Sequence, residues 1–249
     1  WLFGAGLVRT VDNFGTTGES PSHPELLDHL ALQFVQQGWS VKKLIRAIAL
    51  SKTYRLSSMR GEQRKDPENR LLAHMNHRRL DAEAIRDTML SVSGALNLEM
   101  GGATFPASLK TDVDFRFEEP RRSVYVPVFR SSLPELFEVF DFANTSLVTG
   151  RRNLSTVAPQ ALFMMNHPFV RAQAKLTAER LLDDSRPKEA QRIDHAYLRI
   201  LGRHATAKEI ALSQKFLKSV IDTTENGRVE VWTQMVQSLF STIDFRYLR

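Results

Sequence analysis

Residues 22–49, SHPELLDHLALQFVQQGWSVKKLIRAIA, decide the fold class. Leu26, Leu27, Leu30 and Phe34 recur at the spacing of one helical face, which predicts an amphipathic helix. Ser22 and Glu25 stand three apart, as in a capping box, and Pro24 is tolerated in a first turn. The stripe stops at Gly38, and Trp39 and Ser40 lead into a second one made of Val41, Leu44, Ile45 and Ile48. Two amphipathic helices about a single glycine form an αα-hairpin, with the second stripe expected to face inward.

The same period returns on the C-terminal side. Asp66 and Pro67 open a short predicted helix through Leu71, Leu72 and Met75, and Ala84, Ile85, Thr88, Met89 and Val92 mark another. A helix resumes at Thr156 or Pro159, is kinked or restarted by Pro168, and runs to about Leu182. Ile193, Tyr197, Ile200 and Leu201 mark a helix that ends at Gly202. Thr206 and Glu209 cap the next, with Ile210, Leu217, Val220 and Ile221 inward. Trp232, Met235, Val236, Leu239, Phe240 and Ile243 form the last stripe. The expected fold is mainly α. It is an irregular multi-helix domain with αα-hairpins and one short extended or edge-strand segment near 123–129. Residues 1–183 are expected to form its core and residues 184–249 a C-terminal helical subdomain packed on it.

Two stretches break the helical pattern. Residues 94–120 lose all periodicity and form an excursion longer than a routine connection, a candidate lid. Residues 121–166 read RRSVYVPVFRSSLPELFEVFDFANTSLVTGRRNLSTVAPQALFMMN, and no lysine occurs between Lys110 and Lys175. Val124, Val126 and Val128 alternate as in a strand, which Pro127 restricts to an edge or an isolated extended segment. Ser132 and Glu135 repeat the capping-box spacing ahead of a short helix ending near Phe142, and a polar loop follows to Asn153. Arginine, Asp141, Asn153 and Gln160 set among large apolar residues are the composition of a buried polar network or of a ligand-facing surface.

Composition narrows the function classes. The 249 residues are 42% hydrophobic and 25% charged, as in ordinary globular proteins. No apolar run approaches the ~20 residues that span a bilayer, so no membrane span is expected. With no cysteine, the chain makes no disulfide, thiolate zinc site or C-x-x-C-H haem attachment. The net charge of +6 is modest for this length, and nucleic acid is not expected as a partner. There is no G-x-S-x-G and no H-E-x-x-H. Gly4, Gly6, Gly15 and Gly18 form no phosphate loop, because no G-K-[ST] follows them.

The candidate site residues are few. Asp12, His23, Asp81 and Asp141 are the available acid–base groups. Arg121, Arg122, Tyr125, Arg152, Asn153 and Gln160 are the candidate ligand-binding set, because arginine forks match sulfate and carboxylate oxygens. The same arginines could instead fork onto Asp141, Asp12 or Asp81, a wholly structural use. No metal site is expected. His23 and His29 are six apart, and His74 and His77 share a face without a third ligand at an obvious spacing.

Several strings resemble one family: LFGAGLVRTVDNFGTTGESPSHPELLDHLA, GWSVKKLIRAIALSKTYR, NHRRLDAEAIRDTMLSVSG, RRSVYVPVFR and GRRNLSTVAPQALFMMN. Together they look like the planctomycete-type domain of unknown function 1553, and YLRILGRHATAKE is similar to its closing helices. The resemblance implies a large exported bacterial protein, periplasmic or at the cell surface. It also implies an N-terminal c-type cytochrome-like domain and a second uncharacterised domain upstream, with Trp1 at a cut inside the domain. It implies no cofactor in this segment, haem in an upstream domain, and no particular reaction.

Three functions follow as expectations. One is a binding or scaffolding module whose partners are upstream domains of the same polypeptide and whose arginines and aspartates form a polar network. Another is a hydrolase-like enzyme acting on an anionic or sulfated glycan. The third is a redox partner of the cytochrome-like domain. The Asp12–Glu25 and Arg79–Asp87 motifs are expected to meet residues 121–166 in space.

Overall fold

A computed structural model describes residues 2–58, 66–111, 115, 117–185, 188–219 and 224–248. The chain forms two compact units. The first holds Trp1–Arg79, Thr149–Arg151 and Tyr247–Arg249, and the second holds Leu80–Val148 and Arg152–Arg246. The fold is mainly α, as the periodicities predict.

The first unit contains the αα-hairpin, α1 (Pro24–Gln36) and α2 (Val41–Ala49). Ser40 caps α2 by accepting the Lys43 N–H. The capping box predicted for α1 does not form: His23 is its N-cap, and Ser22 Oγ lies 2.9 Å from His23 Nδ1 instead. Gly38 and Trp39 both take positive φ at the bend, and the Phe34 and Trp39 rings meet edge to face at 5.4 Å. The second stripe is not buried as predicted, and neither helix carries a buried residue.

The loop before α1 is held by its own side chains. Asn13 Nδ2 donates to Thr17 O, Thr17 Oγ1 donates to Asn13 Oδ1, and Thr10 Oγ1 donates to Asn13 O. Gly18 sits so close to the Asn13 carbonyl that any Cβ there would collide with it. Residues 66–75 are turns rather than the predicted helix. The Asp66 carboxylate accepts from Arg70 N and Leu71 N, and Asn69 and Leu72 take positive φ, so no α-turn can propagate. Arg78–Arg79 (β1) pairs antiparallel with Tyr247–Leu248 (β2), a two-residue ladder that no alternation in the sequence announces.

The second unit runs α3 (Ala82–Ser93), α4 (Glu135–Val139), α5 (Ala158–Asn166), α6 (Pro168–Leu182), α7 (Glu189–Leu201), α8 (Ala207–Ser219), α9 (Glu225–Ser241) and α10 (Ile243–Arg246). Its core lies where α6 packs between α3 and α9. Val170, Ala174, Ala178 and Leu181 form one fully buried row on α6, and the two alanines let the neighbouring helices approach closely. Ile85 and Met89 of α3 and Trp232, Val236 and Phe240 of α9 fill the same cluster. Gly94 ends α3 at φ 79° with the Arg180 guanidinium against it, where a side chain would be both strained and crowded.

The predicted edge strand at 123–129 is instead a 3₁₀ turn over Ser123–Tyr125, with extended backbone resuming at Val126. Asp87 Oδ1 accepts the Ser123 N–H at 2.7 Å, which removes a donor that a ladder would need. Ser132 and Glu135 form no capping box either, because Pro134 precedes α4 without a side-chain cap.

The Thr206–Glu209 box does form: Thr206 N and Oγ1 both donate to Glu209 Oε2, and Thr206 Oγ1 accepts the Glu209 N–H. Val220 and Ile221, expected inward beyond α8, lie outside the described residues. Arg203 joins Glu209 to Asp244, with Nη2–Oε1 2.7 Å and Nη2–Oδ2 2.8 Å. The Arg203 hydrogen bond, helped by Thr206, holds the Glu209 carboxyl at about 2 against an ordinary 4.5. Depression of the folded-state value means that the pairing stabilises above about pH 4.5 and is lost as pH falls towards 2. Accordingly, the difference in urea midpoint between the parent chain and Glu209→Gln should shrink steadily from pH 5 to pH 2.5. A difference constant across that window would show that Glu209 is not held low.

Candidate functional site

In the second unit the residues flanking Arg121 are organised by α3. Asp81 is the N-cap of α3, and the helix turns Glu83, Arg86 and Asp87 towards the loops that follow. Arg86 is buried. Its Nη1 donates to Arg121 O (2.8 Å) and to Ser123 Oγ (3.3 Å), and its Nη2 donates to Glu119 O (2.8 Å). The guanidinium lies 5.5 Å from the Phe117 ring and 5.9 Å from the Phe169 ring. Burial pushes its pKa down, and Asp87, 3.7 Å away, opposes that shift. Asp87 also accepts from Ser123 N and Oγ, so one carboxylate oxygen serves the turn and the cation together.

Arg121 is the second buried cation. Its Nε donates to Glu119 Oε2 at 2.6 Å, Nη1 to Gly101 O and Nη2 to Ala103 O, and its guanidinium sits 5.0 Å from the Tyr125 ring. Tyr125 OH accepts the Gly101 N–H. The irregular excursion is therefore fastened at Gly101 and Ala103 and joined to residue 121 by a parallel bridge from Asn97. Residues 112–114 and 116 of the candidate lid lie outside the described residues. Arg122 is half-buried, 6.0 Å from the Tyr125 ring.

Arg152 forks onto Glu83 rather than onto an aspartate, at 2.7 and 2.9 Å, and stacks 4.4 Å from the Phe142 ring. That bidentate bond raises the Arg152 pKa, with Asp81 adding a smaller pull in the same direction. Asp141, at φ 58°, accepts Ser155 N at 2.8 Å and Ser155 Oγ. Gln160 is fully buried. Its Nε2 donates to Val139 O, Ser155 O and Ser155 Oγ, and its Oε1 accepts from Arg246 Nη1 at 3.4 Å. Asn153 is exposed.

The structure thus brings the Arg79–Asp87 motif together with residues 121–160: Glu83 meets Arg152, Arg86 meets Arg121, and Asp87 meets Ser123. Asp12 and His23 belong to the first unit, where Asp12 is exposed and lies against Gly150. His23 is the N-cap of α1. Glu83, Arg86 and Asp87 stand on α3 at the spacing of any solvated helix face, and Ser123 and Ser155 lie outside helices, so none of the five was a candidate site residue from sequence. The lysine-free run was the signal for them, since forked, fixed partners suit arginine and not lysine.

The same unit holds a cavity of about 140 Å³ with Arg86, Phe137, Phe163, His167 and Phe169 in its wall. Among the described residues, no three His, Cys, Asp or Glu side chains gather as a metal would require. No helix of the described residues is long and apolar enough to cross a membrane.

A family model described as "PSD1: Protein of unknown function (DUF1553)" matches residues 1–217. No curated protein and no solved structure matches the chain.

Proposed function

We propose, from the premise that the chain belongs to the DUF1553 family of proteins of unknown function, that it is a non-catalytic binding and scaffolding module of an exported multidomain bacterial protein. It docks on other domains of its polypeptide through the hairpin of its first unit. One observation carries this reading: α1 and α2 are amphipathic, yet many of their apolar residues lie open. Leu32 is 64% exposed, Trp39 68%, Val41 59% and Ile45 45%. Apolar residues grouped on adjacent helices mark an interaction surface more often than a solvated one. The charged groups of the candidate site support the non-catalytic part. Arg121 and Arg152 donate to the chain's own acceptors, and Asp141 accepts from Ser155, which suits a scaffold better than a sulfate or glycan site. The reading assigns no cofactor to this chain and leaves haem to a preceding domain.

Hydrogen–deuterium exchange of the chain alone, compared with the longest polypeptide its gene encodes, tests the docking. Amides of α1 and α2 should exchange at least roughly tenfold more slowly in the longer polypeptide. Equal exchange in the two would overturn the proposal.

A further inference from the structure

The cavity in the second unit has a composition that the polar network does not use. Phe117, Val126, Phe137, Phe163 and Phe169 give it an apolar wall, and Arg86 places a cation in that wall. Arg86 is only 8% exposed. A guanidinium carries five N–H donors, and the bonds that Arg86 makes among the described residues, to Arg121 O, Ser123 Oγ and Glu119 O, use three of them. Among the described residues the carboxylate that faces it is Asp87, 3.7 Å away and shared with both Ser123 donors. In direction, burial outweighs Asp87 at this residue.

The remaining polar groups in the wall leave the cation dominant. His167 Nδ1 accepts the Phe169 N–H at 3.1 Å, so that lone pair is taken, and its ring stacks on Phe163 at 4.2 Å. His167 Nε2 faces Glu135 Oε2 at 3.4 Å, and the Glu135 side chain is 66% exposed, where water screens its charge. His167 also caps the 15-residue helix α6, whose positive end adds to the field of Arg86. The volume is that of a cavity known to accept one benzene ring, about 150 Å³.

We propose that this cavity binds a small monocarboxylate with a ring-sized apolar body, its carboxylate on Arg86 and its ring among the phenylalanines. The site goes beyond the docking reading and does not depend on it, because the hairpin belongs to the other unit.

Methyl-detected NMR of the whole chain, titrated with sodium benzoate, benzamide and sodium acetate, tests it. Benzoate should shift the Val126 and Leu136 methyls saturably, with a dissociation constant on the order of 1 mM. Benzamide lacks the charge and acetate lacks the ring, so each should bind at least roughly tenfold more weakly. Val126→Phe, which fills the cavity, should abolish the benzoate shifts while the remaining methyl spectrum stays dispersed. Non-saturating shifts, benzamide or acetate equal to benzoate, or full binding by folded Val126→Phe would each overturn the proposal. The benzamide and acetate comparisons need only the parent chain and hold even if the variant does not fold.

Discussion

Arg86→Met should lower the unfolding free energy of the second unit by about 3–5 kcal/mol, the cost of breaking a buried charged pair from one side. The substitution leaves Arg121 O and Glu119 O without their donors and strands Asp87 beside a partly buried turn. Arg86→Lys should recover little of this. One ammonium on a flexible stem cannot reach carbonyls on both Glu119 and Arg121 while staying between the Phe117 and Phe169 rings. Trp232 is 3% exposed in this core, so urea unfolding followed by fluorescence in a chain with Trp1 and Trp39 replaced by phenylalanine reports on the unit. A loss below about 1 kcal/mol for Arg86→Met would mean that the guanidinium is not what ties the excursion to α3.

Gln160→Leu is the second large effect, expected at about 2–4 kcal/mol. The leucine has similar bulk, so the cost comes from hydrogen bonding rather than from a cavity. Val139 O and both Ser155 oxygens lose one shared donor, and Arg246 Nη1 loses an acceptor, around a side chain that is itself fully buried. Ser155 also holds Asp141, so the polar loop before α5 should loosen with it. Accelerated exchange at the Ser155 amide, whose acceptor is Asp141, is the local readout. A Gln160→Leu protein as stable as its parent would return Gln160 to the list of residues kept for a ligand.

Both substitutions fall where helix periodicity said least. The helical fold was legible because α3, α6, α7 and α9 each bury a 3.6-residue stripe, and the stripes named from sequence hold Ile85, Met89, Ile193, Trp232 and Phe240. Start signals were less reliable. Thr206 and Glu209 formed their box, whereas Ser22 turned to His23 and Pro134 took the place before α4. A capping pattern states what a side chain can reach, and a competing neighbour decides what it does. The same competition ended the strand expected at 123–129, since the partner of Ser123 is Asp87, 36 residues away in sequence. Of the candidate site, the concentration of arginine was readable and its partners were not. Glu83 and Glu119 supply the carboxylates that the aspartates were expected to provide.

The pairing of β1 with β2 constrains how the chain can be made. Arg78 finds its strand partner at Leu248, and Leu80 N donates to Arg246 O at 2.7 Å, so segments about 170 residues apart in sequence close on each other. Likewise α3 rests on α6, and α6 on α9. On a ribosome, neither unit can complete its contacts until nearly all of the chain has emerged. The open hairpin of the first unit is translated early and waits longest. During that interval, its exposed Leu32, Trp39, Val41 and Ile45 are a ready target for a holding chaperone, and a nascent chain stalled before α9 would present them to quality control.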